Sequence, residues 1–171
     1  MKFERAVPPV RQVPLALARR FFQICMSASA ETVAEADLTP LEFAVLAYVT
    51  KPTGEPDIDQ RGLAERLGID RNNTSLLVER VASKGLLERR VNGADRRARL
   101  LRLTPRGEKL FARLYPKALA GQQRILEVLK PSERKVLLDL LVRVIEGNRS
   151  LARPGAGRRR RRSRQSFSNN A

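Results

Sequence analysis

The chain has 171 residues, of which 34 are Lys or Arg and 18 are Asp or Glu, so its formal charge is +16. Such an excess of positive charge indicates a polyanionic partner. Because the chain contains no His and a single Cys, it cannot build a Ser-His-Asp triad, a Cys-His pair, a Cys/His zinc site or an intrachain disulfide.

The positive charge is not confined to one end of the chain. From Arg153 onwards there are seven arginines and no acidic residue, while residues 1–152 hold 27 basic and 18 acidic side chains, a formal charge of +9. We expect a flexible arm over residues 1–13 and a disordered arginine-rich tail over residues 151–171. No signal peptide or membrane-spanning run is predicted. The expectation is therefore a cytoplasmic, nucleoid-associated protein without metal, cofactor or enzymatic activity.

Apolar periodicity predicts a first helix over residues 14–35, with Leu17, Ile24 and Ala28 on one face. A second helix begins at Thr39, because a capping threonine followed by Pro40 and then Glu42 is typical of a helix start. This helix must end before Pro52.

Two short helices follow, over residues 60–67 and 71–84. Asp59 and Asp70 are predicted to cap them, and the glycines at 68 and 85 to end them. Only residues 68–70 separate the two helices. A connection of this length is typical of a helix-turn-helix.

Residues 86–91 and 97–103 alternate well enough to form two strands around the turn signal Asn92-Gly93. These strands and their turn are rich in arginine: Arg89, Arg90, Arg96, Arg97, Arg99 and Arg102. Helix follows from residue 107, and a last, strongly apolar helix covers residues 131–145. The order of helix, helix and basic hairpin predicts a winged helix-turn-helix.

Several segments, in order, resemble the MarR family of bacterial transcription regulators. They are Leu63-Ala64-Glu65-Arg66-Leu67-Gly68, Leu77-Val78-Glu79-Arg80, Asp95-Arg96-Arg97 and Leu103-Thr104 with Gly107. The resemblance covers residues 14–148. Three features depart from the family pattern: Gly62, where a better helix former is usual, Leu76, where a polar residue is common, and the arginine tail.

The resemblance implies a mainly α fold with a small β-hairpin wing (α+β). In it, a DNA-binding lobe over residues 38–106 joins a helical dimerisation region over residues 14–37 and 107–150. The resemblance implies a sequence-specific transcription regulator that binds double-stranded DNA and acts as a repressor. It would bind a pseudo-palindromic operator as a homodimer. Paired reading heads suit half-sites one helical turn apart. Two alternatives stay open: terminal helices that pack within one monomer, and a basic architectural or RNA-associated protein that acts through its tail.

In this reading the helix 71–84 enters the major groove, where Arg reads guanine, Asn reads adenine and Leu76 could touch a thymine methyl. By resemblance, Asp95 holds a wing arginine and Arg97 enters or skirts the minor groove. The candidate DNA contacts are Arg71, Asn72, Asn73, Thr74, Ser75, Leu76, Arg80, Asp95, Arg96, Arg97 and Arg99. Periodicity also allows Thr74 to point to the core, the asparagines only to favour a helix start, and the arginines to line a solvated strand pair.

The family commonly responds to small aromatic or anionic effectors, among which an acyl-CoA thioester is one candidate that the sequence does not select. The residues that could line such a site are Arg19, Arg20, Phe22, Met26, Phe43 and Phe111. Aromatic side chains at helical spacing equally suit a plain core. Cys25 lies on an apolar helix face without a partner Cys, which favours a buried, inert thiol over a redox sensor.

Overall fold

The computed structural model describes residues 13–50, 57–91 and 99–151. Within these ranges there are six α-helices and three strands: α1 Pro14–Val33, α2 Pro40–Val49, β1 Ile58–Asp59, α3 Gln60–Leu67, α4 Arg71–Ser83, β2 Leu87–Val91, β3 Arg99–Leu103, α5 Pro105–Ile125 and α6 Pro131–Gly147. A short 3-10 helix, Ala34–Ala36, follows α1. Helices dominate over one small sheet, so the predicted α+β class is confirmed. Apart from Val13 and Leu151, the predicted arm and tail lie outside the described residues.

The sheet contains one strand that the sequence did not predict. β3 lies between β1 and β2 and pairs antiparallel with both. β1 has only two residues, Ile58 and Asp59, which lie opposite Leu101 and Leu100. A strand this short has no periodicity to detect, and it forms because its backbone meets an edge of β3.

A single core joins the first five helices to the sheet. Its buried side chains are Val33, Leu38, Phe43, Val45, Leu46, Val49, Leu63, Leu77, Val78, Val81, Leu86, Leu87, Leu101, Leu103, Leu114 and Ala118. Val33 of α1 and Leu114 and Ala118 of α5 belong to the same cluster as the central elements. α1 and α5 therefore share one core with the elements between them.

α6 contributes no buried residue to this core. Most of its apolar side chains are exposed, including Leu140 (49% exposed) and Val144 (62%), while Leu137 and Leu141 are half-buried. On α1, Leu17 and Ile24, which the apolar periodicity placed on one face with Ala28, are also exposed, and only Ala28 and Val33 of that helix are buried. Among the described helices, none is long and apolar enough to cross a membrane.

The start of α2 is tied to the end of α4 through Glu42. The backbone N–H of Thr39 donates to Glu42 Oε2 (2.7 Å), and the N–H of Glu42 donates to Thr39 Oγ1 (3.2 Å), so the predicted capping box is confirmed. Glu42 is only 3% exposed. Lys84 Nζ, directly after α4, lies 3.2 Å from its Oε2 and also donates to the carbonyl of Asp37.

These contacts decide the charge state of Glu42. Burial alone would raise the pKa of its carboxyl group, but the Thr39 backbone N–H, the Lys84 hydrogen bond and charge, and the Thr39 hydroxyl together outweigh it, and the pKa is lowered. Glu42 is therefore an ionised group held inside the fold by one cation and two donors.

The start of α5 lies against the turn that follows α4. The backbone N–H of Thr104 donates to the carbonyl of Leu86 (3.1 Å), and its hydroxyl donates to the carbonyl of Gly85 (2.7 Å). The same hydroxyl accepts the N–H of Gly107 (3.1 Å). A Cβ on Gly107 would stand 2.0 Å from the Leu86 carbonyl oxygen. Only glycine allows this approach, since the obstacle is backbone.

We expect Gly107→Ala to lower the free energy of unfolding by about 3 kcal/mol, because the added methyl must push two backbone segments apart. Urea denaturation followed by circular dichroism measures it. Gly147→Ala is the matched control, because apart from its chain neighbours and its own helix backbone no atom of the described residues lies within 4 Å of the position of its Cβ. The control should be neutral or slightly more stable, by up to about 0.5 kcal/mol. Equal stability of the two variants would contradict the close approach.

We expect Glu42→Gln to destabilise the protein at pH 7 by about 1–2 kcal/mol, because it removes the charge that Lys84 and the cap stabilise. Since the folded pKa of Glu42 is lowered, its contribution is complete above the ordinary carboxyl pKa of about 4.3 and is lost as the pH falls through the folded value. Unfolding measured from pH 7 to pH 3 should thus depend less steeply on pH in this variant. Glu127→Gln, at an exposed position, is the control and should show the wild-type dependence of unfolding on pH. If Glu42→Gln also shows the wild-type dependence, Glu42 is not the stabilising ionised group.

Candidate nucleic-acid interface

α3 and α4 form a helix-turn-helix with the predicted boundaries at its turn. Asp59 caps α3 by accepting the N–H of Gly62 (2.7 Å), and Asp70 caps α4 by accepting the N–H of Asn73 (3.0 Å). Between the helices Gly68 has φ +67°, in the left-handed region, which ends α3. α4 ends at Ser83, one residue before the predicted end.

One face of α4 is buried and the other is open. Leu77, Val78 and Val81 lie in the core, and so does Thr74, which is 0% exposed. The Thr74 hydroxyl donates to the backbone carbonyl of Asp70 (2.9 Å). Thr74 is thus removed from the predicted DNA contacts, because its side chain is turned inward and has its hydrogen bond within the helix.

The remaining candidates on α4 lie at its surface: Arg71, Asn72, Asn73, Leu76 and Arg80 are exposed, and Ser75 is half-buried. The amide of Asn73 is partly engaged, because its Nδ2 donates to Asp70 Oδ2 (2.8 Å). This bond matches the alternative that asparagine here favours the helix start. The side chains of Arg71, Asn72 and Arg80 have no hydrogen-bond or ion-pair partner within the described residues.

The hairpin places β2 and β3 directly after α4. Leu87 lies opposite Leu103, and Arg89 lies opposite Leu101. Leu87 is buried and Arg89 is exposed, so this side of β2 changes from buried to exposed as the strand leaves the core. Arg99, at the start of β3, is exposed. Arg90 forms an ion pair with Glu88 (2.6 Å) on the same strand. The predicted wing residues Asp95, Arg96 and Arg97 lie outside the described residues, so their roles stay predictions.

The base of the hairpin is held by a contact that the sequence did not suggest. Arg102 Nη2 lies 2.9 Å from Asp57 Oδ2, just before the unpredicted strand β1. Together with the β1–β3 pairing, this ion pair links the hairpin to the start of α3. No local sequence pattern links residues that are 45 positions apart, and the sequence offered only an acidic residue two positions before the cap of α3.

The structure divides the candidate effector residues into three pairs. Arg19 and Phe22 line a groove of about 530 Å³ on α1, together with Leu15, Ala18 and Gln23. Phe43 is buried and stacks on Phe111, with 5.8 Å between ring centroids, and Phe111 contacts Tyr115 (5.2 Å). Phe43 is thus core, the alternative that the sequence allowed, and neither it nor Phe111 lines the groove. Arg20 is exposed and Met26 half-buried, and neither lines the groove.

Cys25 is half-buried on α1 and not fully buried as the sequence suggested. Burial raises the pKa of its thiol, and a backbone hydrogen bond opposes that only in part. A smaller thiolate fraction at neutral pH agrees with an unreactive side chain.

The chain matches known proteins over this site. The model of the MarR family matches residues 36–98, from the end of α1 to the hairpin. YfiV of Bacillus subtilis, an uncharacterized HTH-type transcriptional regulator, is 33% identical over 87 residues, which cover 49% of this chain and 54% of YfiV. The chain therefore spans about half the length of this relative.

Solved structures cover more of the chain. The PcaV transcriptional regulator of Streptomyces coelicolor, in complex with its natural ligand, is 33% identical, with a TM-score of 0.71 over 82% of this chain and 97% of PcaV. The transcriptional repressor CouR, bound to a 23-mer DNA duplex, is 26% identical, with a TM-score of 0.69 over 79% of this chain and 94% of CouR. These likenesses extend over the terminal helices, and the chain belongs to the MarR family of winged-helix transcription regulators, which are not enzymes.

Proposed function

We propose that the protein is a sequence-specific, double-stranded DNA-binding regulator that acts as a repressor. One observation carries this proposal: the capped helix α4 buries one face and opens the other, which holds Arg71, Asn72 and Arg80 without partners among the described residues. Arginine and asparagine are the side chains that read guanine and adenine edges in the major groove. The CouR repressor, of the same fold, is bound to a DNA duplex.

The basic hairpin supplies the second contact in this proposal. Arg89 and Arg99 are exposed on β2 and β3, and the sequence has Arg96 and Arg97 between these two strands. Arginine is favoured where a narrow minor groove concentrates negative potential. We assign that position to Arg97, with Asp95 orienting the neighbouring arginines.

We further propose that the protein binds a pseudo-palindromic operator as a homodimer through α1 and α6. α6 has an apolar face without a buried residue, and α1 exposes Leu15, Phe22 and Ile24. Apolar surface of this extent on two helices marks an interaction site. A two-fold axis would also pair two copies of α4 with two half-sites.

An effector, small and either aromatic or anionic, would act on this dimer. Arg19 supplies a cation and Phe22 an aromatic ring at the groove on α1, and PcaV is in complex with a natural ligand. Such a ligand releases the operator only if it binds the two states of the protein with different affinity. An acyl-CoA thioester stays one candidate of this class.

We expect Arg97→Ala to weaken binding to a duplex selected from random DNA by about 10- to 100-fold, because one strong charge-assisted contact is lost in each half-site. Fluorescence anisotropy at fixed salt measures it. Arg113→Ala, at an exposed position on α5, is the matched control and should bind like wild type. Equal affinity of both variants would remove the wing from the interface.

Truncation after Arg153 separates this function from that of an architectural or RNA-associated protein. The shortened chain should keep its sequence preference, while the dependence of affinity on salt becomes less steep because fewer counterions are released. Loss of all sequence preference would favour the alternative that acts through the tail.

We expect the wild-type protein to be dimeric at micromolar concentration and Leu140→Asp to raise the dimer dissociation constant by about 100-fold or more. Because each protomer contributes one α6, the substitution places two charges in an apolar contact. Analytical ultracentrifugation measures it. Leu76→Asp alters a similarly exposed leucine on α4 (54% against 49%) and should stay dimeric. A dimer that tolerates Leu140→Asp would contradict this use of α6.

A further inference from the structure

Leu76 is an apolar side chain in the middle of a polar helix face. It is 54% exposed, whereas Leu77 next to it is 5% exposed and buried in the core. On an α-helix its neighbours are the residues three and four positions away, which are Asn72, Asn73, Glu79 and Arg80. All four are polar and exposed, so no side chain of its own face offers Leu76 an apolar contact.

The exposure of Leu76 follows from the helix geometry. The buried residues Thr74, Leu77, Val78 and Val81 define the inward direction of α4. At 3.6 residues per turn, Leu76 points almost opposite to them, close to the direction of Asn72. Leu76 is therefore directed at whatever α4 docks against.

In a major groove, only one base presents an apolar group at its edge: thymine, through its C5 methyl. A leucine offers neither donor nor acceptor, so a guanine or cytosine edge at that position would lose hydrogen bonds to water without replacement. We infer that Leu76 is a specificity determinant that selects thymine at one position of each half-site by contact with the C5 methyl. This inference rests on the proposed DNA-binding function.

A protein partner fits this side chain less well. Leu76 is a single apolar residue surrounded by charged and amide groups, whereas a stable protein interface needs roughly 800 Å² on each side with an apolar centre. The face as a whole is basic and amide-rich, which matches a base edge flanked by phosphates.

Deoxyuridine in place of thymine removes only the C5 methyl and therefore tests the contact directly. Full-length protein first selects duplexes from random DNA, and each thymine of the selected half-site is then replaced in turn. We expect one replacement to weaken wild-type binding by about fourfold for one half-site and about 15-fold for both, the effect of burying one methyl group. The same replacement should change the affinity of Leu76→Ala by less than about twofold.

Asn72→Ala is the control that separates this contact from general weakening. It should lower affinity, yet keep the full deoxyuridine penalty at the Leu76 position, because the methyl contact stays intact. If wild type selects and binds a duplex but loses no affinity when any thymine is replaced by deoxyuridine, the inference is overturned while the proposed function stands. An equal penalty in wild type and Leu76→Ala overturns it in the same way. Failure to select any duplex would overturn the proposed function and this inference with it.

Discussion

The contact between the start of α5 and the carbonyls that follow α4 is the constraint on which the proposed DNA-binding surface depends. Thr104 binds the carbonyls of Gly85 and Leu86, and Gly107 lets the backbones meet where a Cβ would be 2.0 Å from an oxygen. This junction places the end of α4, the start of β2 and the start of α5 against one another. Because the close approach at Gly107 is between backbone atoms, changes in side-chain packing cannot relieve it.

Two ion pairs also hold this surface in place. Lys84 joins the end of α4 to the buried carboxylate of Glu42, and Arg102 joins the hairpin to Asp57. These basic side chains form ion pairs with acidic ones, whereas Arg71 and Arg80 form none within the described residues. Some of the basic side chains of this lobe therefore hold the structure, and others are left for a polyanion. Net charge alone does not distinguish the two groups.

The terminal helices combine two roles that their amphipathic pattern does not separate. Val33, Leu114 and Ala118 complete the core of the lobe, while the outer face of α1 and most of the apolar side chains of α6 are exposed to solvent. A rearrangement of those outer faces would thus be transmitted to the lobe through residues packed directly against it. The groove at Arg19 and Phe22 lies on α1, a helix with both kinds of contact.

Local chemistry in the sequence was enough to predict the helix starts, the helix-turn-helix and the hairpin, because caps at Thr39, Asp59 and Asp70 and the stop at Gly68 act within a few residues. It also gave the inward face of α4, since burial follows the helical period. The tertiary structure alone decided the strand β1, the ion pairs Glu42–Lys84 and Asp57–Arg102, and the division of the aromatic residues between core and groove. Each of these joins segments far apart in the chain, and no local pattern records which distant groups will meet.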